Sequence, residues 1–132
     1  MNNQSKFSDE QPKLSPFHER QAELNIRDAW SVWNGYKFAD YYYEAEYEYF
    51  CIRNTCGTYD ISPMQKYLIE GKNAESMLNR MVTRDISNLK INRVTYVLWC
   101  TNEGRVIDDG TIFKLDAEKF MLTCGSPNLA WL

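Results

Sequence analysis

The sequence predicts an α+β domain in which helices pack on an antiparallel sheet. Residues 94–101 alternate in side-chain character with the period of a strand. Residues 102–104, Asn-Glu-Gly, supply a turn, and a second extended run follows it as far as Phe113. In earlier stretches, apolar residues recur at spacings of three and four, which is the period of a helix. The two patterns together predict a hairpin that packs against helices.

The first 29 residues are predicted to form an N-terminal tail or arm, and the domain then spans residues 30–132. Residues 1–17 are polar, contain two prolines and show no periodicity. Three aromatic residues crowd the turn that follows: Trp30, Trp33 and Tyr36. Aromatic side chains at this density either cap a core or line a groove, and the sequence leaves both interpretations open.

Spacing and composition predict the remaining elements in order. Tyr43, Tyr47 and Phe50 share one face of a helix, and Asn73 is a residue type that caps helices at the N-terminus. The predicted elements are a helix over residues 40–54, an extended segment over 58–62, a strand over 66–70, a helix from Asn73 to about Met81, and a strand over 119–124.

The last residues are predicted to begin another helix. Ser126 and Pro127 are typical of a helix start, because serine caps the N-terminus and proline suits the first helical position. The chain ends at Leu132, after about one turn. A helix this short does not hold itself together, so we expect a fragment, or a gene product shorter than the fold from which it derives.

Composition and charge exclude several classes of function. A hydrophobic content of 44% argues against general disorder. The net charge is −3 and no basic stripe is visible, which argues against nucleic acid as a partner. No apolar run is long enough to span a bilayer, and the N-terminus lacks an apolar signal core. We therefore expect a cytoplasmic protein without a membrane partner.

The cysteine pattern predicts reduced thiols rather than a metal site. The four cysteines contain no CxxC pair, and the single histidine, His18, lies in the predicted tail. Free cysteine packs as a small hydrophobic residue, so we expect most of these thiols to be buried. The four are Cys51, Cys56, Cys100 and Cys124.

Two adjacent carboxylates in a strand are the sharpest functional signal. Asp108 and Asp109 follow the turn inside the second extended run. Successive strand side chains point to opposite faces, so one carboxylate is driven towards the interior if one face is covered. An unpaired buried carboxylate is costly. Such an aspartate pairs with a cation, accepts several hydrogen bonds or awaits a ligand, and the residues alone leave these alternatives open.

Five stretches, in order and in register, resemble the glycine-cleavage T-protein (aminomethyltransferase) family. Residues 53–64 read RNTCGTYDISPM, which is similar to the family pattern R-x-x-x-G-x-x-D-x-S-x-M. The similarity extends over residues 30–132. The other stretches are IEGKNA at 69–74, TRDI at 83–86, GRVIDD at 104–109 and NLAWL at 128–132.

The resemblance implies a folate-binding α+β domain that transfers a one-carbon unit, aminomethyl or methyl, to tetrahydrofolate. It implies that Asp108 is the catalytic or folate-orienting carboxylate. Tyr96, Met64 and Asp109 are implied as folate neighbours, with Met64 in the wall beneath the pterin. A carboxylate beside the folate N5 and N10 nitrogens can bind the pterin edge and stabilise positive charge on an iminium-like carbon. Taken alone, Tyr96 and Met64 are more typical of a core.

Three residues depart from the family pattern and leave the one-carbon donor open. Pro63 stands where a histidine is common, Cys124 where an asparagine is usual, and Gly110 where a leucine is common. The implied donor is therefore either the lipoyl-bound aminomethyl group of glycine cleavage, presented by a lipoyl carrier protein, or a small amine, sulfonium or methoxy methyl donor. The family's further folate contacts come from beyond residue 132, so this chain alone is expected to be inactive.

Two functions of different classes follow. The first is the N-terminal part of a tetrahydrofolate-dependent aminomethyltransferase or demethylase. The alternative is a non-catalytic fragment or interaction module derived from the same fold, which would expose an apolar patch to a partner or to a second copy in a homo-oligomer.

Overall fold

The structure, a computed structural model, describes residues 11–132, and these residues form two compact units. The first unit extends to Pro63 and the second begins at Met64. The boundary predicted from the sequence falls at residue 30 instead. Residues 1–10 of the predicted tail lie outside the described residues, and the part from residue 11 onwards belongs to the first unit.

The first unit combines two helices with a two-stranded hairpin. Asn34 and Gly35 turn the hairpin, and both have positive φ values (48° and 79°), as a tight two-residue turn requires. The sequence pattern predicted only an aromatic turn here. The elements are α1 (His18–Leu24), β1 (Trp30–Trp33), β2 (Tyr36–Ala39) and α2 (Ala45–Asn54).

Helix α1 and the residues before it lie in the segment that was expected to be a tail, and the Asp60 carboxylate helps to hold them in place. The Asp60 carboxylate accepts hydrogen bonds from the Ser15 hydroxyl (2.6 Å), the Gln21 amide (2.9 Å) and the backbone N–H of Ser62 (2.9 Å). Ser15 and Gln21 are both buried. Since a buried polar group requires a partner, one carboxylate fixes the helix and the loop that contains residues 58–62. That loop forms no strand.

Helix α2 begins later than predicted. The Glu48 carboxylate accepts the N–H groups of Tyr42 (2.6 Å) and Tyr43 (2.9 Å), which fixes these two residues outside the helix. The predicted apolar face does not form a core in the described residues, because no residue of α2 is buried. Tyr47 and Phe50 are both more than half exposed.

The second unit is a four-stranded antiparallel sheet with one packed helix, which confirms the predicted α+β class. Its elements are β3 (Gln65–Glu70), α3 (Ala74–Met81), β4 (Arg93–Cys100), β5 (Val106–Asp116) and β6 (Lys119–Cys124). The strands lie in the order β3-β6-β5-β4. The predicted hairpin and the strands predicted at 66–70 and 119–124 are confirmed, and the predicted ends agree to within one residue. The exception is β5, which continues past Phe113 to Asp116.

One face of this sheet carries the core, and the other, called the open face below, carries several exposed side chains among the described residues. Alternating residues of β4, β5 and β6 point to the core face, where α3 contributes Ala74 and Leu78. On the open face Tyr96 is 53% exposed and Leu68 57% exposed. The predicted terminal helix is a single turn, in which the Asn128 carbonyl accepts the N–H groups of Trp131 and Leu132. The core consists of Ala74, Leu78, Val82, Ile86, Val97, Trp99, Ile112, Phe120, Leu122 and Cys124.

Gly110 lets β5 and β6 approach over the indole ring of Trp99. A Cβ atom at residue 110 would lie 2.0 Å from the Thr123 carbonyl oxygen and 3.3 Å from Cη2 of Trp99. Trp99 is fully buried. The absence of a side chain at Gly110 is therefore a packing requirement in this chain, at the position where a leucine is common in the family pattern noted above.

We predict that Gly110→Ala lowers the free energy of unfolding by about 3 kcal/mol, because the methyl group has no space beside a backbone oxygen and a buried ring. Urea denaturation monitored by circular dichroism measures this change. Gly125→Ala is the matched control, since a Cβ there meets nothing within 4 Å. Equal destabilisation by the two substitutions would contradict the explanation.

A second prediction concerns the acid sensitivity of α1. Burial opposes ionisation of Asp60, but hydrogen bonds from Ser15, Ser62 and Gln21 outweigh it and hold the pKa of its carboxyl below the ordinary 3.8. Because the folded-state pKa is the lower one, the stabilisation is fully present only at pH values well above the ordinary pKa of 3.8. It is lost as the pH falls through the folded-state value.

Amide hydrogen exchange of α1 measures this loss. We expect exchange to accelerate as the medium becomes more acid than pH 4, beyond the intrinsic pH dependence of exchange, and Asp60→Asn to abolish that extra acceleration. Glu19→Gln, on the exposed side of the same helix, serves as the control. The same acid profile in Asp60→Asn and in the unsubstituted chain would refute the assignment.

Candidate functional site

The candidate site lies where β5 extends past the end of β6. Cys124, the last residue of β6, pairs with Gly110, whereas β5 begins at Val106. Residues 106–109 therefore pair with β4 only, and the β4–β5 register shifts between Trp99 and Cys100. Irregularities of this kind bend a strand and redirect its side chains. Both predicted carboxylates lie in this overhang.

Asp109 and Tyr96 meet on the open face. The Tyr96 hydroxyl donates a hydrogen bond of 2.8 Å to the Asp109 carboxylate. Tyr96 pairs with Thr111 in the ladder, so Asp109 is its diagonal neighbour on the next strand. Both side chains are exposed. The resemblance implied these two residues as folate neighbours, and the fold brings them into direct contact.

Two further features adjoin this pair. The hydroxyls of Thr111 and Thr123 are 2.7 Å apart and link β5 to β6 on the open face. Met64, half-buried, precedes Gln65, which pairs with Cys124. Met64 therefore lies at the same end of the sheet as Asp109, about 10 Å away by two strand spacings. The fold places it near the pair without direct contact.

Asp108 points to the opposite face, as the strand alternation predicted for one of the two carboxylates. It is half-buried, and its Oδ2 accepts a hydrogen bond of 2.6 Å from the Asn128 amide. Its Oδ1 accepts the backbone N–H of Asp109 at 2.9 Å. Asp108, named from the resemblance as the catalytic residue, thus lies behind the Tyr96–Asp109 pair rather than beside it. Contact with folate stays a prediction for all four named residues.

Asn128 belongs to this site but was not predicted from the sequence as part of it. Its backbone N–H donates to the Tyr67 hydroxyl at 2.8 Å, and its amide also donates to the Ser126 carbonyl at 3.1 Å. In the sequence it stood out only as part of a terminal helix. The one available signal was its position, directly after the strand that ends beside the two aspartates.

Cys124 is a neutral packing residue. Burial raises the pKa of its thiol, and although the Asn128 hydrogen bond opposes this shift, the nearby Asp108 charge adds to it. The thiol donates to the Ser126 carbonyl at 3.1 Å. All four cysteines have free thiols, but Cys124 is the only one that is buried, so the expectation of mostly buried thiols was wrong.

Residues 11–132 contain neither a candidate metal-ion cluster nor a helix that could span a membrane. No group of three or more histidine, cysteine, aspartate or glutamate side chains within this range is arranged to hold a metal ion. Within the same range, every helix is too short or too polar to cross a bilayer.

The fold and the site define an antiparallel α+β domain with a carboxylate–tyrosine pair on its open sheet face. Residues 17–131 match the family model described as the GCVT N-terminal domain. Because the match covers most of the chain, the chain belongs to this family, which confirms the resemblance noted in the sequence.

Similar proteins are longer aminomethyltransferases. That of Halothermothrix orenii is 30% identical over 117 residues, covering 89% of this chain and 32% of the relative. That of Thermoanaerobacter pseudethanolicus is 34% identical over 82 residues, covering 62% of this chain and 22% of the relative. The glycine cleavage system aminomethyltransferase T from Bartonella henselae shares the fold, with a TM-score of 0.76 and 23% identity over 90% of this chain and 33% of that one. The chain thus spans at most about a third of these relatives' length.

The Tyr96–Asp109 contact predicts a shift that can be titrated. The hydrogen bond to Asp109 raises the pKa of the Tyr96 hydroxyl above its ordinary 10.0, and partial burial and the charges of Asp109 and Asp108 act in the same direction. Asp109→Asn removes the acceptor charge that disfavours tyrosinate, so the pKa should fall back towards 10. 3-Fluorotyrosine at residue 96 allows the measurement by ¹⁹F NMR. Because fluorine itself lowers the phenol pKa, both chains carry the same label and their values are compared with that of free 3-fluorotyrosine.

Glu118→Gln, an exposed substitution at the far end of the sheet, is the control and should leave the titration unchanged. If the pKa of Tyr96 were the same in the Asp109→Asn variant as in the unsubstituted chain, the hydrogen bond would not exist in solution.

Proposed function

We propose that this chain is the folate-contacting N-terminal part of a tetrahydrofolate-dependent one-carbon transferase of the glycine-cleavage T-protein type. The observation that carries the proposal is the exposed Tyr96–Asp109 pair on the open sheet face. Membership of the GCVT N-terminal domain family and the aminomethyltransferase relatives support the reaction class.

The residues present suit a pterin. A pterin is flat, has apolar faces and carries N–H donors along one edge. The open face offers an exposed aromatic ring at Tyr96, an exposed carboxylate at Asp109 and apolar side chains such as Phe113 and Met121 nearby. A few polar groups beside an apolar surface are typical of small-molecule sites. When bound, tetrahydrofolate would supply the nitrogens that accept the one-carbon unit.

Each residue then has a distinct role. Asp109 accepts hydrogen bonds from the pterin edge and provides fixed negative charge where positive charge develops during transfer. Tyr96 forms an aromatic wall and, since its pKa is raised, keeps its phenolic proton through the physiological pH range. Met64 supplies apolar surface at the same end of the sheet.

The geometry favours Asp109 over Asp108 for direct contact with the ligand. Asp109 is exposed and has one side-chain donor, Tyr96, whereas both oxygens of Asp108 are already occupied on the opposite face. We therefore propose that Asp109 performs the role that the resemblance assigned to Asp108. Asp108 stays the alternative, and the experiment below separates the two.

The complete reaction is proposed for a longer polypeptide. Because the chain spans about a third of its relatives, we infer that this chain alone is inactive. The proposed donor is the lipoyl-bound aminomethyl group of glycine cleavage, with a lipoyl carrier protein as the protein partner, and the proposed compartment is the cytoplasm. The similar proteins of Halothermothrix orenii and Thermoanaerobacter pseudethanolicus are aminomethyltransferases, which favours an aminomethyl donor over sulfonium and methoxy compounds.

The exposed aromatic residues favour a second candidate, an interaction module. Tyr47, Tyr49 and Phe50 on α2 are each more than half exposed, which is unusual for so many large apolar side chains on one helix. A partner chain or a second copy would cover them.

Tetrahydrofolate binding, measured by calorimetry, tests the proposal. The chain is used alone and in a chimera in which its residues 17–131 replace the matching third of the Halothermothrix orenii aminomethyltransferase. We expect the chimera to bind and Asp109→Asn to weaken binding by about 1–3 kcal/mol, the range for the loss of a hydrogen bond to a charged group. Tyr96→Phe should weaken it less, because the ring remains.

Glu118→Gln again provides the surface control. Weaker binding in Asp108→Asn but not in Asp109→Asn would return the role to Asp108. A chimera that is folded but does not bind tetrahydrofolate would refute the folate site and favour the interaction module.

A further inference from the structure

The backbone N–H of Asp109 lies at a break in the sheet. β6 ends at Cys124, opposite Gly110, so no β6 residue lies opposite Asp109 in the ladder. Backbone N–H groups require hydrogen-bond partners, and the Asp108 side chain supplies one here: its Oδ1 accepts this N–H at 2.9 Å. The local backbone at Asp109 therefore depends on the orientation of the Asp108 carboxylate.

The Asp108 carboxylate is itself oriented by Asn128. The Asn128 amide donates to Asp108 Oδ2 at 2.6 Å and to the Ser126 carbonyl at 3.1 Å. Both partners are acceptors, so the nitrogen of the amide must face them, and the flipped orientation would set oxygen against oxygen. The Tyr67 hydroxyl accepts the backbone N–H of Asn128 at 2.8 Å and anchors its backbone to β3.

We propose that Asn128 is a positioning residue that acts through Asp108 to hold the Asp109 carboxylate against the Tyr96 hydroxyl. The connected bonds run from the Asn128 amide to Asp108, from Asp108 to the Asp109 N–H, and from the Asp109 side chain to Tyr96. The inference rests on the proposed function only in its consequence for ligand binding. The series of hydrogen bonds itself involves no ligand.

The test uses NMR on the full chain with Asn128→Leu, which removes the donor and keeps an uncharged side chain of similar size. We expect faster amide exchange and an upfield proton shift at Asp109, and a Tyr96 titration displaced towards its ordinary value. Asn128→Ala, which adds no bulk, should give the same changes. Asn88→Ala, on an exposed loop of the same unit, is the matched control.

A double substitution tests whether Asn128 acts through Asp108. In an Asp108→Ala background, Asn128→Leu should cause no further change at Asp109 or Tyr96, because the connecting group is already absent. An undiminished additional effect in that background would overturn the proposal. So would an unchanged Asp109 amide and Tyr96 titration in both single Asn128 variants.

Binding experiments with the chimera separate this inference from the proposed function. If the unsubstituted chimera binds tetrahydrofolate, Asn128→Leu should weaken binding on the order of tenfold, which corresponds to the loss of one charge-assisted hydrogen bond. Unchanged affinity there would overturn the positioning role. If the chimera does not bind tetrahydrofolate, the proposed function fails. The NMR measurements then still decide whether Asn128 positions Asp109 through Asp108.

Discussion

Strand β5 extends four residues further than its neighbour β6 at the end where both aspartates lie, and the arrangement of the site follows from that difference. A strand end without a neighbour leaves backbone groups that need partners. Asp108 supplies one, and Asn128, which the chain reaches only four residues after β6 ends, fixes Asp108 in turn. The early end of β6 thus creates the need for a partner and also delivers the residue that orients it.

The same region depends on close packing between strands. Gly110 is the outermost residue of β5 to pair with β6, and the buried ring of Trp99 lies against it. A larger residue at 110 would separate the strands at the point where the overhang begins. Gly110, which departs from the family pattern, therefore packs directly against Trp99. The indole ring fills the space that a side chain at residue 110 would take.

Periodicity and turn chemistry made much of the second unit predictable. Both patterns are local: the turn at residues 102–104 lies between two long extended runs, and β6 was recognised with its observed bounds. Less of the first unit was predictable, because its order depends on distant partners. Helix α1 is only seven residues long and is fixed by Asp60, which lies 39 residues from Gln21 in sequence. Strands of four residues, such as β1 and β2, are too short for a clear period.

The orientation of Asp108 and Asp109 was only partly predictable from the sequence. A strand with two adjacent aspartates must point them to opposite faces, so the sequence could predict that they differ in environment. It could not tell which aspartate faces which side, because a register shift of one residue exchanges their positions. That choice is made by contacts between residues that are not neighbours in sequence: the Trp99–Asp108 pairing across the hairpin, and the bond from Asn128, which lies 20 residues beyond Asp108. Residue type and spacing locate the carboxylate pair, whereas strand register and the end of β6 determine which carboxylate is held within the protein and which is left exposed to a ligand.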